Sequence, residues 1–575
     1  MMYPLDEVKK EIISAIEKVL LDLNYRSDIK LESPPEEFGD FAFPCFSLSP
    51  IAKKSPNDIA NIIAQKIQKT KWIEKVQVNG AYVNFTIDKN NLKVYTIKSI
   101  IEKQKNYGYL QKKNKKVIIE HTSANPNGPL HVGRARNPII GDTIVRIFKA
   151  AGYNVESQFY LDDMGKQVAI LVWGVNNIKS NEIIKSTSDK PDHKTVGFYQ
   201  KATQLMKDDE NISKQISEIV KKSEEGDKKT IELVHKAYSP VLKGINESLK
   251  NINIKVDKYV PESNFVKDKS VDLIVEKLKK LKHCAQEEGA YFLDMEPFGI
   301  KGRNTKFVFL RNDGTTLYAT RDIAYHIWKA KNADLLINVL GEDHKLESKQ
   351  VEVALQLLGS SSIPKVIFYS FVSLPGGKMS TRKGRVVYLD DLIDECVKRA
   401  YIEVKKRREK DLTDKKMNEI ADIIGIGALR YNIIKVQPEK DIVFKWEEAL
   451  NFEGDSAPFI QYSHARACSI LSKKIDEIKD IDATILNADS EEKLIKILAK
   501  FPSIIRESCE GCKPHILTSY LYEVASQFNQ FYRDCPVLPE KNKKLKNSRL
   551  ALVESTKIVL HNGLDILGIS APAEM

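Results

Sequence analysis

Two periodicities divide this chain. Apolar positions predict helices over Leu5–Leu23 and Pro56–Lys69, with strands near Val76–Gln77 and Ala81–Thr86. This mixture predicts a small α+β unit over about residues 1–112, closing on the basic run Lys112-Lys113-Asn114-Lys115-Lys116. From Val117 the pattern changes to strands alternating with helices: Val117–Glu120, Asn154–Tyr160, Leu335–Leu340 and Val366–Val372. That alternation is the signature of an α/β fold with a doubly wound parallel, Rossmann-type sheet, here over 113–390. Polar, lysine-rich helical sequence and short strands around Ala290–Asp294 and Lys306–Phe309 interrupt it, so an insertion is expected over about 175–300. The remainder reads as helical, a connecting region at 391–454 and an all-α C-terminal domain at 455–575, with strong periodicity in Leu517–Phe531 and Ala551–Leu567.

Composition narrows the class. A chain of 575 residues with 42% hydrophobic and 29% charged residues fits several globular domains. Nothing approaches the roughly 20-residue apolar run of a membrane helix, and the start reads as an amphipathic helix and not a signal peptide. A cytoplasmic protein, with no membrane partner and monomeric, is expected. The net charge of +12 favours a polyanionic partner. Seven scattered cysteines argue against a disulfide framework; Cys509-Glu510-Gly511-Cys512 with His515 lacks a full set of zinc ligands, so these thiols read as structural and no protein-bound metal is expected.

The richest segment runs from Glu120 to Arg134. The strand Val117-Ile118-Ile119 is followed by an Asn/Pro/Gly-rich loop and a helix carrying Ile140, Ile144, Ile147 and Phe148, stopped at Gly152. That order predicts unpaired backbone N–H groups facing a phosphate, with Gly133 permitting close approach and His131 adding a donor. A second loop, Gly376-Gly377-Lys378-Met379-Ser380-Thr381-Arg382-Lys383-Gly384, has cations and hydroxyls that suit charge on a transferring phosphoryl group.

These two stretches resemble the paired signature motifs of class I aminoacyl-tRNA synthetases, His-Ile-Gly-His and Lys-Met-Ser-Lys. Their surroundings resemble arginyl-tRNA synthetases in particular. Ser123–Gly133 is close to that family's first motif, and Tyr160-Leu161-Asp162-Asp163-Met164-Gly165-Lys166-Gln167 is similar to its Tyr-x-Asn-Asp-x-Gly-x-Gln element. Asp313–Asp322 looks like its amino-acid-pocket segment, while Gln461–Arg466 and Leu564–Met575 resemble its helical anticodon-binding domain. The N-terminal block resembles the family's domain for the tRNA elbow.

The resemblance implies an arginine–tRNA ligase that uses ATP, with Mg2+, to form arginyl-adenylate and pyrophosphate, then transfers arginine to tRNA(Arg), first to the 2′-hydroxyl. It places Glu262 and Asp322 on the guanidinium of arginine, a pairing that suits the planar guanidinium fork. Tyr318, one helical turn before Asp322, would pack on the guanidinium plane. Glu120 and Asn125 match positions holding the α-amino and carboxyl groups. His131, Gly133, Arg134, Gly341, Asp343, Lys378, Met379 and Ser380 match ATP contacts, with Lys383 a candidate for the missing final lysine of the second motif. In Gly341-Glu342-Asp343-His344, His344 stands where the family often has Gln, and either a contact to arginine or a structural role fits it. Arg134 replaces the family's second histidine and Thr381 its last lysine. For tRNA, the C-terminal helices near Tyr462, His464 and Met575 are expected to make contact. The rival readings are a class I synthetase for another amino acid and a non-catalytic tRNA-binding relative. An acidic pocket argues against an anionic substrate, and intact His131, Lys378 and Asp322 argue against loss of catalysis. Editing by the insertion is not expected, since a guanidinium is chemically distinct enough without it.

Overall fold

The computed structural model describes residues 2–575 apart from 185, 187, 303–304, 374–386 and 475–476. The second glycine-rich loop, with Lys378, Met379, Ser380 and Lys383, lies outside the described residues.

At the N-terminus the helix Pro4–Asp22 turns Val8, Ile12, Ile16, Val19 and Leu20 inward, a stripe at helical spacing. It covers an antiparallel sheet of strands β1 (Phe41–Pro44), β2 (Ile73–Asn79) and β3 (Tyr82–Ile87), in the order β1-β3-β2. A second helix, Pro56–Lys66, opens on Ser55, whose hydroxyl accepts from the backbone N–H of Asp58. This core also takes in Ala499, so the N-terminal unit is packed onto the C-terminal helices.

The central sheet begins with β4 (Lys116–Glu120) and β5 (Asn154–Leu161). It continues with β6 (Lys258–Pro261), a strand inside the stretch expected to be an insertion. Four residues, one of them fully buried, are too short a run to stand out by periodicity. The excursion is therefore two separate pieces. Four helices between Lys166 and Asn251 lie before β6. An antiparallel sheet of β7 (Cys284–Glu287), β8 (Ala290–Asp294) and β9 (Lys306–Leu310) lies after it. The parallel sheet is completed by β10 (Leu335–Gly341) and β11 (Lys365–Tyr369). Val372, expected to end that last strand, instead pairs with Ile442, and Ser373 with Val443.

All neighbours in the order β11-β10-β4-β5-β6 run parallel. From β4 the chain goes outward to β5 and β6, then returns to place β10 on the other side of β4. Strand order thus reverses between β4 and β10, and the crevice at the carboxyl ends of those two strands is where open α/β sheets bind ligands.

The remaining helices, from Leu389–Arg408 to Lys543–Ile566, share one continuous core with the sheet. Arg430 bolts them together. It is fully buried, meets Asp142 at 2.6 Å and donates to the carbonyls of Ile252 and Leu567. A Cβ on Gly568 would lie 2.1 Å from that guanidinium, and its φ of +71° also requires glycine.

Candidate active site

The loop leaving β4 is fastened to both switch-point strands. Asn137, on the helix Arg136–Ala150, accepts from the Thr122 N–H at 2.6 Å and donates to the Val339 carbonyl of β10 at 3.0 Å. Thr122 itself sits at φ +73°, an uncommon conformation for a β-branched residue. His121 is fully buried beneath the helix, where burial lowers its pKa to about 4. Below it, Gly141 has no room for a side chain, since a Cβ there would be 2.2 Å from the His121 Cβ.

The first motif forms the 3-10 turn Val132–Arg134 ahead of that helix. The expected row of free backbone donors is not present. Val132 N–H bonds to the Val387 carbonyl, Gly133 N–H to His131 Nδ1, Arg134 N–H to the His131 carbonyl and Ala135 N–H to the Val132 carbonyl. The 3-10 turn consumes these donors within the fold, so phosphate recognition there falls to side chains. Because Nδ1 of His131 accepts from Gly133 at 3.0 Å, the ring's proton in the neutral form is on Nε2, which is left to donate outward. Burial and then Arg134 lower the His131 pKa, favouring that neutral form. Arg134 is half-exposed and reaches Asp343 at only 3.9 Å. Gly341 ends β10, and Asp343 lies in the 3-10 turn Glu342–His344 directly after it.

Behind this motif is Arg136, fully buried and unassigned by the sequence reading. It donates to the carbonyls of Ser370, Lys440 and Gln437 at 2.7–3.0 Å, tying the first motif to the end of β11 and to the 437–440 segment. Burial, only partly offset by Asp441 and Glu439, brings its pKa down to about 10.

At the switch point a cavity of about 150 Å³ is lined by Glu120, Asn125, Glu262, Tyr318, Asp322 and His344. All six residues expected around arginine therefore converge from β4, the end of β6, the helix Tyr318–Asn332 and the turn after β10. Glu120 accepts from Ser123 Oγ and pairs with the buried Lys329 at 2.7 Å. Glu262 is buried, with Oε1 held 2.8 Å from Arg321 Nε. Burial pushes the Asp322 carboxyl up, but His326, Lys329 and His344 outweigh it and hold the group below the usual range. His344 bonds to Glu347 at 3.2 Å, and that bond raises its pKa.

Asp162 and Glu347 add two carboxylates to the lining that the sequence reading did not assign. Asp162 stands where the family element has Asn, a departure legible in the motif. Burial, then the charge and hydrogen bond of Glu262, raise its pKa well above the carboxylate range. Next to it, Asp163 accepts from Ser263 N–H and Oγ at 2.8 and 2.7 Å, fixing the Glu262 turn to the end of β5. A larger cavity of about 700 Å³ shares Asn125, Asp162 and Tyr318 and opens toward the insertion helices, with Lys166, Lys221 and Arg311 on its walls.

In the C-terminal domain, Tyr462 and Met575 line a cavity of about 620 Å³ with Arg407, Arg408 and Arg466. His464 is not on that surface. It is buried and its Nδ1 bonds to the Pro572 carbonyl at 2.8 Å, which gives it the structural task of holding the C-terminal tail. Asp192, His193 and Asp390 group as metal ligands would, yet Lys190 Nζ lies 2.7 Å from Asp390 and supplies the cation. Cys509 and Cys512 are free and buried.

Comparison with known proteins agrees with this geometry. Residues 96–446 match the model for the catalytic domain of class I tRNA synthetases (R), 460–575 the DALR anticodon binding domain, and 6–87 the arginyl tRNA synthetase N-terminal domain. The chain is 47% identical over 530 residues to an arginine–tRNA ligase of Methanocella arvoryzae, covering 92% of each chain. It is 44% identical to that of Methanococcus aeolicus, covering 98% of this chain and 99% of the relative. The arginyl-tRNA synthetase of Thermus thermophilus superimposes with a TM-score of 0.83 at 27% identity, over 98% of this chain and 100% of that one. With its catalytic sheet, its three matched domains and its near-full-length relatives, the chain belongs to the arginyl-tRNA synthetases, class I enzymes that ligate arginine to tRNA.

Proposed function

We propose that arginine binds in the acidic cavity at the switch point, its guanidinium toward Glu262 and Asp322 and its α-amino group toward Glu120. The observation that carries this reading is the convergence of the carboxyl groups of Glu120, Glu262, Asp322 and Glu347, with that of Asp162, on one cavity whose lining sets Arg134 against them, an acidic surplus that fits a cationic amino acid. A planar guanidinium meets several carboxylate oxygens at once, which a lysine ammonium does not, and a carboxylate left unpaired in such a site is costly.

ATP would lie over the first motif, bringing Mg2+ with its phosphates. The arginine carboxylate attacks the α-phosphorus in line and pyrophosphate leaves. The 2′-hydroxyl of the terminal adenosine of tRNA then attacks the mixed anhydride and AMP leaves. No protein nucleophile is required; alignment and stabilisation of phosphate charge carry the rate. His131 Nε2 and Arg134 serve the phosphates, together with Lys378, Ser380 and Lys383 of the second motif. Two backbone bonds support a shared ligand: Val132 N–H to the Val387 carbonyl at 3.0 Å, and Leu389 N–H to the Leu130 carbonyl at 2.8 Å. They stitch the chain just beyond the second motif to the first. The larger neighbouring cavity, with Lys166, Lys221, Arg311 and Arg321 among acidic neighbours such as Glu218 and Asp313, is where the acceptor end of tRNA would enter. The arginine-rich C-terminal cavity beside Tyr462 and Met575 suits anticodon bases and phosphates.

The test is ATP–pyrophosphate exchange with each of the common amino acids, with and without tRNA(Arg). Exchange confined to arginine is the expected result; exchange with lysine or glutamate at comparable rates would contradict the reading.

A further inference from the structure

Lys329 lies on the same face of the helix Tyr318–Asn332 as Asp322 and His326 and is fully buried. Each of its ammonium donors has an acceptor: Glu120 Oε2 at 2.7 Å, Asn338 Oδ1 at 3.0 Å and His326 Nε2 at 3.4 Å. Because Lys329 only donates, Asn338 must present its oxygen to the ammonium. Its amide nitrogen is thereby turned to His326 Nε2, 2.7 Å away. With two donors aimed at it, Nε2 of His326 is an acceptor, and the ring proton belongs on Nδ1. Nδ1 faces Asp322 alone, 2.7 Å from its carbonyl and 3.1 Å from Oδ1.

The donors in this cluster run outward from Lys329, to the Glu120 carboxylate directly and, through Asn338 and His326, to Asp322, where Nδ1 bonds the backbone carbonyl and lies 3.1 Å from Oδ1. Glu120 and Asn338 are partners in register on β4 and β10, so the cluster spans the switch point. Lys329 and His326 are absent from the cavity lining, whereas Glu120, Asn338 and Asp322 are part of it.

We propose that Lys329 and His326 are positioning residues for arginine recognition, the centre of a buried relay that orients Glu120 at the α-amino end of the pocket and Asp322 at the guanidinium end. The proposal rests on the reading of Glu120 and Asp322 as ligands of arginine. Lys329 holds Glu120 against β10, and the Nδ1 proton of His326 is shared between the Asp322 carbonyl, at 2.7 Å, and its Oδ1, at 3.1 Å. A buried ammonium is costly to keep, and its removal leaves a buried carboxylate without a counter-charge.

The test compares arginine with 5-guanidinopentanoate, which lacks the α-amino group, as substrate and competitive inhibitor respectively. Lys329→Met is expected to raise KM for arginine at least about tenfold, with kcat and KM for ATP within about threefold, and to raise Ki of 5-guanidinopentanoate several-fold less, because that ligand feels only the longer arm through Asn338 and His326. His326→Leu is expected to weaken both ligands, and His326→Gln, which keeps an acceptor and a donor, to restore both. The double variant Glu120→Gln/Lys329→Met removes the two charges together and is expected to match the KM of Glu120→Gln alone. Equal weakening of both ligands by Lys329→Met, or no weakening, would overturn the relay, as would failure of His326→Gln to restore binding. If Glu120→Gln itself leaves KM for arginine unchanged, the ligand reading fails; if it raises KM while Lys329→Met does not, only the relay fails.

Discussion

Arg321 and Glu262 form a buried ion pair, 2.8 Å from Nε to Oε1, with both side chains almost wholly removed from solvent. A second carboxylate, Glu224 on an insertion helix, lies 3.6 Å from the same guanidinium. The pocket proposed for a substrate guanidinium is therefore built around an internal one. Glu262 gives one oxygen to Arg321 and is also a neighbour of the Asp162 carboxyl. Arg321→Met is expected to strand Glu262 and Glu224 and to lower unfolding stability by about 3–5 kcal/mol. Chemical denaturation measures this; a loss below about 1 kcal/mol would show that the pair contributes little.

Asp162 gives the pocket a pH dependence. Burial and the neighbouring Glu262 raise its pKa well above the ordinary aspartate value, so without a guanidinium beside it the carboxyl gives up its proton at higher pH than an exposed aspartate. A bound guanidinium favours the ionised form and expels that proton. Arginine affinity is therefore expected to rise with pH from the ordinary carboxylate range up through the raised pKa of Asp162. Calorimetry in buffers of different ionisation enthalpy should record proton release on binding. Asp162→Asn, which installs the residue of the family element, should abolish both effects; release undiminished in that variant would assign the proton elsewhere.

Arg136 links the first motif to the carbonyls of Ser370, Lys440 and Gln437. Arg136→Met would leave those carbonyls unsatisfied in the interior, with an expected loss of at least about 3 kcal/mol. Lysine is not an equivalent replacement, because one ammonium does not reproduce the spread of the guanidinium fork. Thermal unfolding of Arg136→Met and Arg136→Lys measures this, and near-wild-type stability of the lysine variant would contradict it.

Much of the site was legible in the sequence because its chemistry is carried by short motifs at strand ends. Glu120, Asn125 and His344 fall in or beside strands whose apolar runs are unmistakable, and they meet where the fold class places a ligand. What escaped was set by contacts between distant segments. The backbone donors of Val132–Ala135 look free in a strand–loop–helix reading, but Val387, far along the chain, takes one of them and the 3-10 turn takes the rest. Strand β6 is too short to announce itself, so the insertion was read as one piece. His464 sits in a motif of the anticodon domain, yet its burial depends on where the C-terminal tail returns. Lys329 and His326 share the helical spacing of Tyr318 and Asp322, but only the position of β10 shows that this face is buried and polar.

The account stands on Asp322 as a ligand for the guanidinium of arginine. Its most direct test is steady-state aminoacylation of tRNA(Arg) by Asp322→Asn, a change that keeps the shape of the side chain and removes its charge. KM for arginine is expected to rise at least about tenfold while KM for ATP stays within about threefold. An unchanged KM for arginine in a folded, active variant would contradict the account.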